Sequence, residues 1–363
     1  MNNNYDQLTD YLQGFDHLSF QKDLIEWFNI EQRKLPWRVS KDPYRVWVSE
    51  IMLQQTKVDT VIPYFNHFIN KFPTPEALAD ADEQEVLKAW EGLGYYSRAR
   101  NLQNAIREVV EVYGGDIPHT PKQLGDLKGV GPYTKGAILS IAFDQPEPAV
   151  DGNVMRVMAR ILLIDEDIAK QRTRKLFEAI IREIISKKDP SSFNQGLMEL
   201  GAIVCTPKKP SCLLCPVQSH CKAYQQGMED ELPIKSKSKK QKRIPYTGVL
   251  VTNQEGKVLI QKRPENGLLA NLWEFPMALL EEAPDTGSLS EWFHLNYGLT
   301  ITTKPSIDKI RHVFSHLIWE IDVVPGVVEG NVSTNSRAKF VSLDELEKYP
   351  FPVSHQKIAQ HLR

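Results

Sequence analysis

The four cysteines are the residues whose type and spacing point most directly to chemistry. The 363-residue chain contains four cysteines, spaced C-x6-C-x2-C-x5-C at Cys205, Cys212, Cys215 and Cys221. Four thiols in one short stretch favour a metal site over two disulfides or four separate buried thiols. Structural zinc sites usually use two separated ligand pairs, whereas this compact set has one C-x2-C pair. The spacing therefore favours a cube-shaped iron–sulfur cluster, with zinc as the alternative.

Two further segments have residue types that bind phosphate. Lys208 and Lys209 lie in the loop between the first two cysteines. A lysine pair on a metal-held loop could clamp a phosphate, and the alternative is a pair of solvated lysines. Gly129 and Gly131 permit positive φ just before a helix, where free backbone N–H groups bind phosphate. An ordinary tight turn is the alternative for this hairpin, which spans residues 127–135.

A carboxylate follows the hairpin. Asp151 lies twenty residues beyond Gly131, in a turn after two prolines. Aspartate is a common helix N-cap, so capping is the simplest role for Asp151.

Taken together, these motifs resemble those of the endonuclease III superfamily of DNA glycosylases. The resemblance rests on the Leu-x-Gly-Val-Gly hairpin, the aspartate that follows it and the four-cysteine loop. Segments 36–38, 46–56 and 92–97 are similar to the MutY-type adenine glycosylase branch. The resemblance implies an all-α helix-hairpin-helix domain with a [4Fe-4S] cluster. It also implies that the substrate is double-stranded DNA and that adenine opposite 8-oxoguanine is removed.

The same resemblance assigns catalytic roles to three residues. Cleaving the bond between adenine and its sugar needs an acid for the leaving base and a negative charge beside the sugar. Glu50 is the predicted acid, since its apolar neighbours should raise its pKa toward neutrality. Asp151 is the predicted carboxylate beside the sugar, kept ionised near a helix N-terminus. Tyr133 is expected to orient Asp151 or the intermediate; for Glu50 the alternative is a solvated helix face.

One position separates hydrolysis from strand cleavage. Bifunctional members of the superfamily have a lysine four residues after the first glycine of the hairpin, and this chain has Tyr133 there. Lys135 lies roughly 200° further around the helix. We therefore predict a monofunctional glycosylase. A glycosylase/lyase for oxidised pyrimidines and a catalytically silent damage-binding module are the alternatives.

Further residues are expected to contact the substrate. The residues predicted to fill the gap left by the adenine, or to wedge beside the opposite base, are Gln54, Gln55 and Tyr95. The residues predicted to line the base pocket are Trp37, Arg38 and Gln195. Helix-surface glutamines and a packed tyrosine are the alternatives.

The elements that must position these residues fall into two classes. Apolar residues recur at helical spacing in 20–30, 44–72, 83–90, 99–113, 134–142, 154–163, 173–185 and 193–204. Residues 231–245 form a predicted basic linker. Beyond it, alternation predicts strands at 247–252, 257–262, 318–323 and 338–341, with helices at 289–297 and 355–362. We predict a helical domain over 1–230 and an α+β domain over 246–363.

The second domain resembles the Nudix fold. A catalytic Nudix box holds magnesium through paired glutamates, but Leu295 and Asn296 occupy those positions here. The resemblance therefore implies a domain that recognises 8-oxoguanine, through Phe314, Ser315 and His316. An exposed turn is the alternative for that segment.

Composition limits the remaining possibilities. The formal net charge is −2, so a DNA-binding face must be a local patch. No apolar run approaches the ~20 residues of a membrane helix, and the polar start has no secretory pattern. We expect a cytoplasmic monomer without a membrane partner.

Overall fold

The chain forms two compact units. The computed structural model describes residues 8–236, 240–329 and 337–362. The first unit comprises Met1–Ala79 and Asn104–Lys237, and the second comprises Asp80–Gln103 and Ser238–Arg363. The segment Asp80–Gln103, which we predicted within the helical domain, thus clusters with the C-terminal part of the chain.

Helices run through the chain as far as residue 226. Their bounds are α1 His17–Glu31, α2 Pro43–Leu53, α3 Val58–Lys71, α4 Pro75–Asp80, α5 Glu83–Ala89, α6 Ser97–Tyr113, α7 Pro121–Asp126, α8 Pro132–Phe143, α9 Gly152–Leu162, α10 Gln171–Ile184, α11 Pro190–Ile203 and α12 Lys222–Gln226. Short 3-10 turns occupy Pro36–Arg38, Cys212–Leu214 and Gln218–His220. Aspartates begin several helices by accepting a backbone N–H, as Asp42 does for α2 and Asp189 for α11.

The prediction of one helical stretch over 44–72 is wrong. Helix α2 ends at Leu53 and α3 begins at Val58. Between them Gln55 adopts a left-handed backbone with φ of 59°, which interrupts the helix. The apolar residues of the two helices share one spacing, and their periodicity alone does not reveal the break.

Helix α8 is the central element of the first unit. Seven of its twelve residues are buried, and it packs against both α2 and α11. A helix buried on most sides needs apolar residues around its whole circumference, which the sequence of α8 provides. The side chains of α2, α8 and α11 therefore meet at one place.

A mixed sheet forms the core of the second unit. Its strands are β1 Lys242–Thr252, β2 Val258–Lys262, β3 Trp273–Glu274, β4 Met277–Leu279, β5 Thr300–Thr303, β6 Asp308–Val313, β7 Leu317–Glu329 and β8 Ala338–Val341. The order is β3-β2-β1-β7-β5, with β4 on β1, β6 on β7 and β8 on β2. Strands β1 and β7 are parallel, from Lys242 opposite Leu317 to Thr252 opposite Val327. Helices α13 Thr286–Tyr297 and α14 Val353–Ala359, with a 3-10 turn at Gln360–Leu362, complete the unit.

The sequence predicted only part of this sheet. The four predicted strands lie in β1, β2, β7 and β8, and both predicted helices are present. Strands β3 to β6 were missed because β3 and β4 have only two and three residues and β5 and β6 are largely exposed. Strand β1 begins at Lys242, inside the predicted linker, because its whole length pairs with residues 317–327 of β7. Lys237 to Lys239 of that linker lie outside the described residues.

Within the described ranges of the chain, no helix has both the length and the apolar character to cross a bilayer.

Candidate active site

Glu50 lies near the end of α2 with only 5% of its surface exposed. Burial raises the pKa of Glu50 to about 7, and the nearby charge of Asp151 acts in the same direction. The Tyr133 hydroxyl and Arg38 oppose this rise. A carboxyl with this pKa keeps its proton in much of the population at neutral pH, as a general acid requires.

Tyr133 contacts Glu50 and not Asp151. The Tyr133 hydroxyl, in the first turn of α8, donates to Oε2 of Glu50 at 2.5 Å. We expected Tyr133 to orient Asp151 or the intermediate; the hydrogen bonds described for its hydroxyl go to Glu50 and Met198. This hydrogen bond restrains the Glu50 carboxyl, because α8 packs directly against α2.

Asp151 is the N-cap of α9. Its Oδ1 accepts the Val154 backbone N–H at 2.8 Å, and its Oδ2 accepts the Asn153 side-chain amide at 3.0 Å. Burial raises the pKa of Asp151, although the Val154 and Asn153 donors work in the opposite direction. The two donors favour the ionised form, as expected for this turn, but burial has the larger effect on the pKa of Asp151.

The predicted catalytic and base-pocket residues line one cleft of the first unit. Its empty volume is about 760 Å³, including space open to solvent. The residues predicted from sequence that line it are Trp37, Arg38, Glu50, Tyr133, Asp151 and Gln195. A cleft with a protonated carboxyl and a capped aspartate on its walls suits acid-assisted cleavage of a glycosidic bond.

Sequence reasoning missed Glu199, on α11. Glu199 is 1% exposed and receives Arg33 Nε at 2.8 Å and Arg38 NH2 at 2.9 Å. Burial opposes its charge, but the two arginines lower the pKa of Glu199 to about 2. The sequence held one indication of Glu199: an acidic residue four positions, about one helical turn, beyond the predicted pocket residue Gln195. Gln195 itself accepts at Oε1 a hydrogen bond from Arg38 Nε at 3.2 Å.

The residues predicted to fill the gap are divided between the units. Gln54 donates from Nε2 to the Thr134 hydroxyl at 3.3 Å, and Gln55 is exposed where α2 ends. Tyr95 lies in the second unit, 44% exposed, with φ of 46°. The structure therefore brings Gln54 and Gln55 to the end of the helix that carries Glu50.

Only one of the two hairpin glycines has the positive φ that glycine adopts easily. Gly129 has φ of 83°, whereas Gly131, the N-cap of α8, has φ of −83°. Gly131 does not use the positive φ that glycine permits, because it is a helix N-cap with an extended backbone. Lys135 lies beside α7, where its Cδ approaches Gly125.

The four cysteines surround a single cavity in the first unit. Cys205, Cys212, Cys215 and Cys221 line it together with the apolar side chains Val157, Ile161, Leu200, Val204 and Val217. Burial raises the pKa of the Cys215 thiol to about 12, so a thiolate there needs a positively charged partner. Within the described residues, no three His, Cys, Asp or Glu side chains are placed to hold a single metal ion.

Basic residues flank this cavity. Arg160, 2% exposed on α9, donates from NH1 to the Cys205 sulfur at 3.2 Å and to the Thr206 carbonyl at 2.8 Å. Lys208 and Lys209 are exposed on the loop, and Lys209 has φ of 50°. The loop thus presents both lysines to solvent, where a phosphate could reach them.

The predicted recognition turn connects β6 and β7. Ser315 and His316 are exposed, while the Phe314 ring packs edge-on against His312 and Trp319, with centroids 4.5 and 4.8 Å away. A cavity in the second unit is lined by this turn together with Tyr95 and Arg100. In the degraded Nudix helix α13, Leu295 is 76% exposed.

Comparison with known proteins identifies both parts of the chain. The family model "HhH-GPD superfamily base excision DNA repair protein" matches residues 48–183, and the "NUDIX domain" model matches residues 247–361. The first part of the chain thus matches a base excision DNA repair family and the second part a Nudix domain, which confirms the predicted fold class.

Its relatives define the family more narrowly. The adenine DNA glycosylase of Rattus norvegicus is 36% identical over 400 aligned positions, covering 94% of this chain and 78% of the relative. The Mus musculus enzyme of the same name is 37% identical, covering 83% and 69%. A solved "thermostable thymine-DNA glycosylase" is 29% identical with a TM-score of 0.51, covering 58% of this chain and 97% of that chain. The chain belongs to the adenine DNA glycosylase family.

Proposed function

We propose that this protein is a monofunctional DNA N-glycosylase that hydrolyses adenine from 8-oxoguanine:adenine and guanine:adenine mispairs in duplex DNA. The observation that supports this most strongly is the shared cleft. Glu50 on α2 and Asp151 at the N-cap of α9 lie far apart in sequence yet line the same cavity.

Glu50 supplies the proton for the leaving base. Adenine leaves more readily as a neutral base than as an anion, so N7 must be protonated as the bond breaks. The raised pKa of Glu50, about 7, gives a carboxylic acid with the proton available near neutral pH. Tyr133 holds the carboxyl by its hydrogen bond to Oε2, which leaves Oε1 to approach the base.

Asp151 stabilises the positive charge that develops on the sugar. A carboxylate close to an oxocarbenium-like sugar lowers the barrier electrostatically. Val154 and Asn153 fix the orientation of the carboxylate by donating to its two oxygens. Because Asp151 is held by the start of a helix, it moves little as charge develops.

The adenine must leave the base stack to reach the cleft, at a cost of about a few kcal/mol. Trp37, Arg38 and Gln195 lie where they would receive it. Arg38 is fixed by Glu199 and Gln195, so its guanidinium is held in place before substrate binds. Gln54, Gln55 and Tyr95 would fill the gap in the duplex.

The residues that line the cleft favour hydrolysis without strand scission. The described residues that line the cleft include no lysine. Lys135 packs beside Gly125 on α7. An amine is needed to form a Schiff base with the sugar, so water is the acceptor of the glycosyl group here.

The second unit would distinguish 8-oxoguanine from guanine. At N7 8-oxoguanine carries a hydrogen, and guanine carries an unprotonated acceptor. The exposed hydroxyl of Ser315 can accept from that N7–H, beside His316 and Phe314. A degraded Nudix box on α13 is consistent with recognition in place of pyrophosphate hydrolysis.

The cysteine cavity would hold a [4Fe-4S] cluster. Four partly buried thiols around one space match the ligand number of such a cluster, and Arg160 supplies a positive donor to one of them. The cluster would fold the loop that carries Lys208 and Lys209, which would then contact DNA phosphate.

The test is a panel of duplexes with adenine opposite each normal base and opposite 8-oxoguanine. We expect free adenine from the 8-oxoguanine and guanine duplexes, with strands cut only after alkali treatment. Borohydride should trap little protein on DNA. Strand cleavage without alkali, or trapping of most of the protein by borohydride, would contradict the proposal.

A further inference from the structure

The loop that presents Tyr95 has an unusual backbone. Gly92, Gly94 and Tyr95 have φ values of 102°, 70° and 46°. Left-handed backbone is easy for glycine but unfavourable for a residue with a Cβ, such as tyrosine. Since 44% of the Tyr95 surface is exposed, packing of its own ring does not account for this conformation. Another group must hold the loop.

The side chain of Arg98 holds the loop through hydrogen bonds to its backbone carbonyls. It lies at the start of α6 with 9% of its surface exposed. Its NH2 donates to the carbonyls of Leu93 at 3.3 Å and Gly94 at 3.1 Å, and its Nε donates to the Tyr95 carbonyl at 3.4 Å. One guanidinium thus binds three successive carbonyls of the loop. Because the carbonyl positions depend on the φ and ψ of the loop, these bonds select the left-handed conformation.

The faces of the same guanidinium contact two aromatic rings. The Arg98 Cζ lies 5.4 Å from the ring centroid of Trp90 and 5.4 Å from that of Tyr95. Burial lowers the pKa of Arg98 to about 10, so it remains cationic at neutral pH and attracts both rings. Trp90 also donates from Nε1 to the Gly94 carbonyl at 3.2 Å. Only arginine combines in-plane donors with stacking faces in this way.

We propose that Arg98 is a positioning residue that holds the backbone and ring of Tyr95 in the geometry needed to wedge beside the base opposite the adenine. The proposal rests on the proposed function, in which Tyr95 enters the duplex. Arg98 itself, being buried under the loop, acts through Tyr95.

A double-mutant cycle tests this dependence. Arg98→Met and Tyr95→Ala should each slow single-turnover adenine release from an 8-oxoguanine:adenine duplex by roughly 10- to 100-fold, because misplacement of a positioning group has effects of that size. The double variant should be no slower than Tyr95→Ala by more than about twofold. Rates that fall by the product of the two single effects would overturn the proposal.

A second readout reports the wedge without catalysis. The base analogue 2-aminopurine, placed next to 8-oxoguanine in the same strand, fluoresces more strongly when it is unstacked. Binding of the unaltered protein should raise the fluorescence, and Tyr95→Ala and Arg98→Met should both abolish the rise at saturating protein. A full rise with Arg98→Met would overturn the proposal.

Two controls separate positioning from folding. Arg107→Met removes an arginine from the opposite face of α6, nine residues along, and should leave the fluorescence rise intact. If circular dichroism shows that Arg98→Met does not fold, Arg98→Lys replaces it in the cycle. Arg98→Lys should slow adenine release to a smaller extent, and it should cause no further slowing when Tyr95 is already alanine. If the unaltered protein releases no adenine, the proposed function fails, while the fluorescence arm still decides whether Tyr95 depends on Arg98.

Discussion

At the scale of single residues, the chemistry depends on where a carboxyl is placed. Glu50 would have an ordinary pKa on a solvated helix face, and burial raises it to about 7. The hydrogen bond from Tyr133 acts the other way, and so does the charge of Arg38, while the charge of Asp151 adds to the effect of burial. Glu199 has a pKa of about 2, because it accepts hydrogen bonds from two arginines. Direct hydrogen bonds from arginine thus keep Glu199 ionised, and their absence at Glu50 among the described residues suits its proposed role as the acid.

The pH dependence of adenine release should reflect this balance. Below pH 7 Glu50 keeps its proton, and above pH 7 the rate should fall about tenfold per pH unit as the acid is lost. Tyr133→Phe removes the bond that lowers the pKa of Glu50, so the alkaline limb should move to higher pH. Single-turnover rates across the pH range measure both effects. An alkaline limb at the same pH in both proteins would contradict the role of Tyr133.

Neutral isosteres should separate catalysis from folding. Glu50→Gln removes the proton donor and Asp151→Asn removes the negative charge, and each should slow adenine release by roughly 10²- to 10⁴-fold. Circular dichroism and duplex binding should remain close to those of the unaltered protein. Glu111→Gln, an exposed change on α6, is the matched control and should leave the rate unchanged. Normal turnover by either active-site variant would remove that residue from the mechanism.

At the scale of elements, one close contact connects the hairpin helix to the catalytic aspartate. A Cβ added at Gly136, in the middle of α8, would lie 1.9 Å from the carbonyl oxygen of Pro148. Glycine is therefore required for α8 to approach the segment that leads directly into Asp151. Since α8 also carries Tyr133, which donates to Glu50, we expect this contact to influence the spacing between Glu50 and Asp151, the two proposed catalytic carboxyls.

Gly136→Ala should disturb stability and activity together. The backbone at Pro148 must shift to make room, which we expect to lower the free energy of unfolding by about 2 kcal/mol. The movement should displace Asp151 and slow adenine release. Urea unfolding and single-turnover rates provide the two measurements.

Gly131→Ala is the matched change for the unfolding measurement. It adds the same methyl group where no atom lies within 4 Å and where φ is −83°. Its free energy of unfolding should differ from that of the unaltered protein by less than about 1 kcal/mol. Equal destabilisation by the two alanines would show that the contact with Pro148 is not the cause.

At the scale of the whole molecule, the residues proposed for excision and those proposed for recognition belong to different units. The cleft with Glu50 and Asp151 belongs entirely to the first unit, and the turn with Ser315 and His316 belongs to the second. Tyr95 also belongs to the second unit, because Asp80–Gln103 clusters with the C-terminal sheet. Substitutions in the recognition turn should therefore change substrate preference without changing the chemistry.

The combined variant Ser315→Ala, His316→Ala tests this division. Loss of hydrogen bonds to the lesion should reduce the preference for 8-oxoguanine:adenine over guanine:adenine by about 5- to 30-fold, which corresponds to about 1–2 kcal/mol. Release from guanine:adenine should stay near its original rate. Competition between the two duplexes in one reaction measures the ratio directly. A proportional loss on both duplexes would mean that the turn supports binding in general.

Most of the residues proposed to take part in the chemistry could be recognised from the sequence alone. The four cysteines, the aspartate after the hairpin, and Tyr133 where lyases have lysine were all apparent from local spacing. The helical and α+β classes also followed, because apolar periodicity is a local property of the chain. Short strands such as β3 and the break between α2 and α3 did not follow, since each depends on pairing or packing with distant residues.

The contacts within the proposed site became apparent in the folded chain alone. The Tyr133 hydroxyl donates to Glu50, whereas the sequence led us to expect it beside Asp151 or the intermediate, and Glu199 lies between two arginines. It also showed that burial raises the pKa of Asp151 against its capping donors. Desolvation and hydrogen bonding across a cleft depend on which segments meet in space, and residue spacing along the chain does not contain that information.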